Sequence, residues 1–500
     1  MRFAVAVLGC FTATLALAGA DDSRTQLDAL LTRVRDAGGR PYRFHLRAVA
    51  KQSADAAADT FTVDDDGPRT LLRRCSGQLC SGTYLDGETV WAINLNDTAL
   101  PLEPEDSRRI TLRAIEGEAF ADPGFEAGGG HVALKVPLRL NDGRTMLRVA
   151  VTAPRGATLD ALIDRDTALV TGVRGQDVAV TYSDWRAVGD LTLPFEIDSG
   201  STVRRFDART IEPAPLGAPR GLAPRIEGGS TSVAFASLSR PTVDPIVPCS
   251  IGRERVACLF DTGNSGLSMS LELAERLGLE PLGKSLQVRG LGEYETGVVT
   301  GPELQIGGAR YPGAYYAVLH DVQQYGYDVV VGADAFAHAT VTIDYPAHEL
   351  RLAPEAASAA GDAAIDIAFE NFLPVTTVLL GDTKALLAID TGDESAINLS
   401  SAFYVLHPGV FTPQTHARVA GIGGTGDELL GTIERVDVGG FSLLNQPIGT
   451  TNRSLPTAQG HIGSGALSHF VATFDYAHRR VGLSPKRGDG AIATPSAVRR

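Results

Sequence analysis

Two copies of the tripeptide Asp-Thr-Gly are the residues of this chain whose types and surroundings predict chemistry. The first copy, residues 261–263, follows the apolar run 256–260, and the second, residues 390–392, follows the apolar run 385–389. Two carboxylates held close together cannot both ionise at low cost, so one pKa rises and the pair shares a proton. Such a pair can take a proton from an attacking water molecule and donate a hydrogen bond to a developing oxyanion.

The two motifs belong to a longer internal repeat. A glycine-rich turn follows each motif, at residues 288–292 and 419–423, and residues 331–338 then align without a gap with residues 462–469. Short apolar strands separated by glycine turns predict an all-β unit. A helix is expected after the first motif, at residues 271–277.

These landmarks resemble those of the retropepsin-like aspartic proteases. In that family an apolar strand leads to Asp-Thr-Gly, a glycine hairpin called the flap follows, and a segment of two apolar residues and a glycine comes next, as at residues 330–332. The resemblance implies a mostly β fold with two tandem β-barrel units, residues 233–354 and 365–485, which form an intramolecular pseudo-dimer. It also implies a peptide or unfolded protein as substrate, and a reaction that requires neither metal nor cofactor.

The resemblance also assigns roles to single residues. Asp261 and Asp390 would be the catalytic aspartates, which activate water while they share one proton. The residues expected to support the catalytic loops are Thr262, Gly263, Thr391 and Gly392. The residues expected to form the flaps over the substrate are Gly290, Leu291, Gly292, Gly421, Ile422 and Gly423.

Two positions depart from the family pattern. Where the family has a small residue after the glycine, this chain has Asn264 and Asp393. Asp393 either points towards the aspartates and raises their pKa, or it faces solvent or caps a turn. Asp334 and Glu394 are interpreted as ordinary polar residues.

The predicted function is an aspartic-type endopeptidase. The alternatives are a non-catalytic peptide-binding module of the same fold and a structural protein of the cell envelope.

The residues before the repeat predict a separate α+β domain, residues 21–212. An amphipathic helix at residues 24–37 precedes strands that predict a curved antiparallel sheet. Residues 82–91 and 182–185 resemble parts of the outer-membrane lipoprotein carrier fold. The Pro- and Gly-rich residues 213–232 are expected to be a linker.

The cysteines and the N-terminal residues predict export to an oxidising compartment. Residues 1–20 combine a positive charge, an apolar run and a small-residue cleavage site, as in a secretory signal peptide. The four cysteines outside this segment allow three pairings. A hairpin centred on residues 253–254 would place Cys249 opposite Cys258, which favours that disulfide and leaves Cys75 with Cys80. The alternative is free buried thiols.

Composition limits the remaining classes of function. The chain has 500 residues, of which 44% are hydrophobic, and a formal net charge of −14. The hydrophobic content predicts packed cores, and the negative charge argues against nucleic acid as a partner. No other stretch is long and apolar enough to span a membrane. We therefore expect a periplasmic or secreted monomer, with an Ala-rich joint at residues 355–364 and a polar tail at residues 486–500.

Overall fold

The computed structural model describes most of the chain, in segments. The described residues are 9–38, 45–51, 59–65, 69–86, 89–102, 107–140, 142–175, 178–200, 203–212, 225–238, 242–354, 361–451, 457–486 and 488–493. They form two compact units. The first unit comprises residues 1–77, 82–91 and 103–217, and the second comprises residues 78–81, 92–102 and 218–500.

The chain is mostly β, which confirms the predicted fold class. The helices are α1 (Gly9–Gly38), α2 (Ser107–Glu116), α3 (Leu271–Arg276), α4 (Ala333–Phe336), α5 (Ser401–Leu406) and α6 (Ser464–Leu467). Within the described segments, no helix is both long and apolar enough to cross a membrane. Helix α3 confirms the helix that was expected after the first Asp-Thr-Gly motif.

The N-terminal strands form one long antiparallel sheet. They are β1 (His45–Lys51), β2 (Asp59–Asp65), β3 (Arg69–Ser76), β4 (Leu79–Asp86), β5 (Thr89–Ile93), β6 (Ala99–Leu102), β7 (His131–Arg139), β8 (Thr145–Thr152), β9 (Leu159–Asp164), β10 (Val170–Arg174), β11 (Ala179–Val188), β12 (Leu191–Asp198) and β13 (Val203–Glu212). In the first unit the order runs β5-β4-β3-β2-β1-β13-β12-β11-β10-β9-β8-β7. Neighbours in this order are mostly consecutive in sequence, as in a meander.

Helix α1 packs on the core of the first unit with one apolar face, as expected of the predicted amphipathic helix. Leu27, Leu30, Leu31 and Val34 are buried. The helix begins at Gly9 rather than at residue 24, so it extends into the predicted signal segment. No proline interrupts the chain between these two points, and the Ala- and Leu-rich run has high helix propensity.

The remaining strands belong to the second unit. They are β14 (Thr231–Ala234), β15 (Ile246–Ile251), β16 (Glu254–Phe260), β17 (Leu267–Ser270), β18 (Lys284–Arg289), β19 (Glu293–Gly301), β20 (Leu304–Ile306), β21 (Ala309–Tyr311), β22 (Ala314–Leu319), β23 (Val329–Val331), β24 (Thr340–Asp344), β25 (Glu349–Ala353), β26 (Ala363–Asp366), β27 (Ala368–Glu370), β28 (Leu373–Leu380), β29 (Thr383–Asp390), β30 (Ile397–Ser400), β31 (Thr412–Gly421), β32 (Gly424–Val438), β33 (Phe441–Thr451), β34 (Gly460–Gly463), β35 (Phe470–Asp475), β36 (Arg480–Pro485) and β37 (Ile492–Ala493).

Two nine-stranded sheets place the Asp-Thr-Gly motifs in equivalent positions. In the first, β23 lies between β16, to which it is parallel, and β17, to which it is antiparallel. In the second, β34 lies between β29 and β30 in the same way. Each motif therefore begins at the end of β16 or β29. The chain after the motif then forms β17 or β30, which lies on the opposite side of the short strand β23 or β34.

A six-stranded sheet joins the two halves of the repeat. Its order is β14-β25-β24-β35-β36-β26, so three strands that precede the second copy meet three later strands at the pair β24–β35. At that centre Thr342 pairs with Thr473, and their hydroxyl oxygens lie 3.1 Å apart. Below the sheet the rings of Phe336 and Phe474 meet edge to face at 5.4 Å. One hydrophobic core therefore runs through both copies.

The hairpin β15–β16 corrects the predicted register by two residues, because its turn lies one residue earlier in the chain than predicted. Cys249 lies opposite Val256, and Val247 lies opposite Cys258. The turn is at residues 252–253 because Gly252 adopts a positive φ of 57°, which a two-residue turn favours. Cys249 and Cys258 are diagonal neighbours on one face and still form the predicted disulfide, with Cα atoms 6.0 Å apart.

Cys75 and Cys80 are also disulfide-bonded.

Part of the segment that was predicted to be a linker is instead structured. Residues 231–234 form strand β14, which pairs with β25. Before this strand, the side chain of Ile226 is buried. Residues 213–224 and 355–360, which belong to the predicted linker and joint, lie outside the described residues.

Candidate active site

Each motif aspartate begins a tight turn at the end of its strand. The backbone N–H of Asp261 donates to Val331 O at 3.0 Å, which ties the strand end to β23. Inside the first turn, Gly263 N–H donates to Asp261 Oδ1 at 2.7 Å. Inside the second, Gly392 N–H donates to Asp390 Oδ1 at 3.1 Å. Each carboxyl group is therefore oriented by the backbone of its own loop.

The two carboxyl groups lie close together, each against the loop that carries the other. A Cβ atom on Gly263 would lie 2.5 Å from Asp390 Oδ1, and a Cβ atom on Gly392 would lie 2.5 Å from Asp261 Cγ. Each carboxyl group thus lies directly over the glycine of the opposite motif. This close approach requires glycine at both positions, because no larger residue leaves room for the facing carboxyl group.

Burial and proximity change the acidity of this pair. Asp261 is 9% exposed and Asp390 is 6% exposed. Burial, followed by the neighbouring Asp390, raises the pKa of Asp261 well above its usual range, and buried Asp244 acts in the same direction. The hydrogen bond from Gly263 N–H opposes these effects. The pair therefore retains a proton at a pH where an exposed aspartate has lost it.

The two threonines connect the motifs through four hydrogen bonds. The Thr262 hydroxyl donates to Ile389 O at 2.6 Å and accepts from Thr391 N–H at 3.0 Å. The Thr391 hydroxyl donates to Phe260 O at 2.8 Å and accepts from Thr262 N–H at 3.0 Å. Both threonines are fully buried. Since each loop is bonded to the strand that carries the other, the carboxyl groups cannot separate without breaking buried hydrogen bonds.

Behind the aspartates the two halves differ. The Tyr345 hydroxyl lies 2.9 Å from Ser464 Oγ, and this serine donates to Thr391 O at 2.8 Å. In the repeat, Tyr476 aligns with Tyr345 and Ala333 aligns with Ser464. Because Ala333 has no hydroxyl, the buried Tyr476 hydroxyl has no hydrogen-bond partner among the described residues. Burial, and then Asp261 and Asp390, raise the pKa of Tyr476. The surroundings of the two aspartates are therefore not equivalent.

The residues that depart from the family pattern form hydrogen bonds within their own loops. Asn264 Nδ2 donates to Gly266 O at 3.0 Å within its own loop. Asp393 Oδ1 accepts from Ser395 N–H at 2.8 Å, which caps the turn as one of the two alternatives predicted. Burial and the nearby Asp390 still raise the pKa of Asp393. Asp393 therefore adds an acidic group beside the pair without replacing either member.

The predicted flap residues lie at the tips of two hairpins that contact each other. The first tip connects β18 to β19, and the second connects β31 to β32. Leu291 N–H donates to Ile422 O at 2.8 Å. A Cβ atom on Gly290 would lie 2.1 Å from Ile422 O, and one on Gly292 would lie 2.1 Å from Gly423 O. Backbone meets backbone at the tips, so glycine is required there.

Asp334 is the residue that the sequence analysis interpreted wrongly. It is completely buried, and its carboxylate accepts hydrogen bonds from Asn94, Asn96 and Thr98. Its sequence neighbourhood is apolar and gives no sign of these partners, which lie far away in the chain. Glu394, in contrast, is exposed, as expected of an ordinary polar residue.

Among the described residues, no group of three or more His, Cys, Asp or Glu side chains is arranged to hold a metal ion. No curated protein matches the chain. Residues 247–335, which carry the first Asp-Thr-Gly motif, the first flap hairpin and residues 330–332, match the model of a family described as aspartyl protease, and this part of the chain is therefore similar to aspartyl proteases.

Proposed function

We propose that the chain is an aspartic-type endopeptidase in which two tandem units form one active site. The observation that carries the proposal is the close approach of the carboxyl groups of Asp261 and Asp390, each of which lies over the glycine of the other motif. The family match of residues 247–335 supports a peptidase. The two disulfides and the predicted signal segment support export to an oxidising compartment.

The proposed reaction uses one proton shared by the pair. The ionised carboxylate takes a proton from a water molecule as its oxygen attacks the amide carbon. The protonated carboxyl group donates a hydrogen bond to the oxygen that becomes negative. The proton taken from water then passes to the amide nitrogen as the C–N bond breaks, which leaves a carboxylic acid and an amine. The proton cannot be assigned to Asp261 or Asp390 alone, because the pKa values belong to the pair.

The two flap hairpins suggest the class of substrate. Their tips meet through backbone contacts, and an extended peptide can pair with such hairpins as an added strand. Closure over the peptide would exclude water and strengthen the electrostatic interactions beneath the flaps. This favours a peptide or an unfolded protein segment over a compact ligand.

The direct test is cleavage of an unfolded protein. The purified chain should cut a reduced and alkylated protein substrate at acidic pH, and mass spectrometry should detect new termini. An inhibitor with a secondary hydroxyl in place of the scissile carbonyl should block cleavage, because it mimics the tetrahedral intermediate. If the chain binds the unfolded protein but never cuts it at any pH, it is instead a peptide-binding module of the same fold.

Activity and stability should both depend on the pH at which the pair loses its proton. Because the pKa of Asp261 is raised in the folded state, cleavage should persist well above pH 3.8, the ordinary pKa of an aspartate, and fall when the shared proton is lost. A raised folded-state pKa stabilises the fold below the unfolded-state pKa, and this contribution disappears as pH rises through the folded-state value.

The stability effect can be isolated by comparison with Asp261→Asn, which does not titrate at this position. The free energy of unfolding of the wild type relative to this variant should fall as pH rises above about 4. Glu118, whose pKa burial raises to about 8, titrates in both proteins and cancels in the difference. A difference that is independent of pH in urea unfolding curves would contradict the raised pKa.

Gly292→Ala should reduce activity by separating the flap tips. Its Cβ atom would lie 2.1 Å from Gly423 O, so one hairpin must move. We expect kcat/KM to fall about 10- to 100-fold, since displacements of about 1 Å have effects of this size. Gly426→Ala is the matched control in the opposite flap, because its Cβ atom would make an ordinary 3.6 Å contact with Leu291 Cδ2. Equal kcat/KM values for the two variants would remove the role of the tips.

A further inference from the structure

Residues 94–98 form a turn that belongs to the second unit, although the first unit contains the chain on both sides of residues 92–102. Asn94 N–H donates to Thr98 O at 3.0 Å, and Asp97, with a φ of 60°, donates its N–H to Asn94 O at 3.1 Å. Asn94 Oδ1 accepts from the N–H groups of Asn96 at 2.9 Å and Thr98 at 3.0 Å. The side-chain oxygen of Asn94 thus stabilises the turn itself, and its side-chain NH2 group is left to contact other segments.

The turn directs three donors at one buried carboxylate. Asn94 Nδ2 and Thr98 Oγ1 donate to Asp334 Oδ1 at 2.8 and 2.5 Å, and Asn96 Nδ2 donates to Asp334 Oδ2 at 2.6 Å. Asp334 has no exposed surface. A buried carboxylate without such donors would be strongly unfavourable, so the turn and Asp334 form one interdependent structure.

This structure continues into the loop that holds Asp261. Asn94 Nδ2 also donates to Ser265 O at 2.8 Å, which lies in that loop. From the other side, Ala333 N–H donates to Asn264 O at 2.9 Å, and Gly332 N–H donates to Gly266 O at 2.9 Å. Residues 264–266 are therefore held between Asn94 and the segment that begins helix α4.

The loop of Asp390 is held in a different way. Gly465 aligns with Asp334 in the second copy, so no carboxylate stands at that position. Gly465 N–H donates to Ser395 O at 3.1 Å, and Ser395 N–H donates to Asp393 Oδ1 at 2.8 Å. The second loop is thus closed by its own copy, whereas the first loop uses a segment from about 170 positions earlier in the chain.

We propose that Asn94 is a positioning residue for Asp261 and that the turn of residues 94–98 is an integral part of the catalytic unit. Asn94 touches neither aspartate. It acts by bonding the Asp261 loop to Asp334 at the same time as it folds its own turn. The proposal rests on the proposed function, and it implies that a chain lacking residues 94–98 has a disordered Asp261 loop.

The test compares full-length variants at Asn94. Asn94→Asp keeps the oxygen that folds the turn but replaces the donor with an oxygen that faces Ser265 O and Asp334. We expect kcat to fall about 10- to 100-fold and KM to stay within about threefold. The alkaline limit of the pH profile should also move, because the distance between the two carboxyl groups changes. Adding Asp334→Asn to the same chain reverses donor and acceptor and should restore part of kcat. Asn445→Asp, at an exposed position within strand β33, is the control for added charge.

Hydrogen exchange gives a second reading that needs no catalysis. Amides in the peptide 261–267 should exchange at least about tenfold faster in Asn94→Asp than in the wild type, and the second loop should not change. Asn94→Ala, which removes the donor without adding charge, answers the same question if Asn94→Asp does not fold. Unchanged exchange and unchanged kcat in a folded variant overturn the proposal. If the wild type cleaves nothing, the proposed function fails, and the exchange result still decides whether Asn94 positions the loop.

Discussion

Replacing either Asp261 or Asp390 with Asn should lower kcat for peptide hydrolysis by about 10²- to 10⁴-fold, which is the usual contribution of a positioned acid or base. Asn cannot take a proton from water, and a pair with one carboxyl group cannot hold a base and an acid together. Each carboxyl group lies against the loop that carries the other, so the two should act as a unit. The double variant should therefore be little worse than either single variant.

The controls separate loss of chemistry from loss of structure. Asp382→Asn removes a fully exposed carboxylate in the turn between β28 and β29, where it forms an ion pair with the half-exposed Arg435, and such pairs contribute little to stability. This variant should keep wild-type kcat. Both Asn variants should still bind a peptide inhibitor, because the two flap hairpins remain. Equal cleavage by the wild type and both Asn variants would exclude these aspartates from catalysis.

Removing one hydroxyl between the motifs should affect both stability and catalysis. Thr262→Val keeps the shape of the side chain but leaves Ile389 O and Thr391 N–H without their partners at 2.6 and 3.0 Å. Each unsatisfied buried group costs about 1–3 kcal/mol, so the free energy of unfolding should fall by about 2–5 kcal/mol. Because the two loops then shift relative to each other, kcat should fall about 10- to 100-fold.

The chain offers a matched control for this prediction. Thr342→Val removes a Thr–Thr hydroxyl contact of 3.1 Å on the six-stranded sheet, away from the motifs. It should cost no more than about 1.5 kcal/mol and leave kcat unchanged. Thr262→Ser, which keeps the hydroxyl, should recover most of the lost kcat. Thr391→Val should resemble Thr262→Val, and the double variant should lose less than the sum, since the four bonds form one network.

Local features of the sequence were sufficient where neighbours along the chain decide the structure. The apolar runs before each motif form strands, residues 271–277 contain helix α3, and the glycine-rich turns form hairpin tips. The face of helix α1 follows from the spacing of its apolar residues. The predicted hairpin turn was wrong by one residue, and the strand pairing therefore by two, because Gly252 rather than the charged pair after it accepts the backbone angle of the turn.

Other features depend on residues that are distant in sequence. Asp334 is one acid among many in the sequence, and only the fold brings Asn94, Asn96 and Thr98 to it. The environment of Tyr476 also depends on distant residues. Its counterpart Tyr345 contacts Ser464, but the residue aligned with Ser464 is Ala333, which has no hydroxyl. Propensity and periodicity describe short windows, whereas a buried polar contact depends on which segments the whole chain packs together.

The sequence by itself determined that two equivalent acids each follow a buried strand, that glycine follows each motif threonine, and that the units around them are β structures with glycine tips. These properties are local, because they require only the right residue types next to one another. Only the tertiary structure decided that the two carboxyl groups meet, that four threonine hydrogen bonds hold them together, and that a distant turn supports one loop and not the other. Contacts of this kind form only when packing of the two halves outweighs the entropy of ordering them, so no short stretch of the chain contains the information.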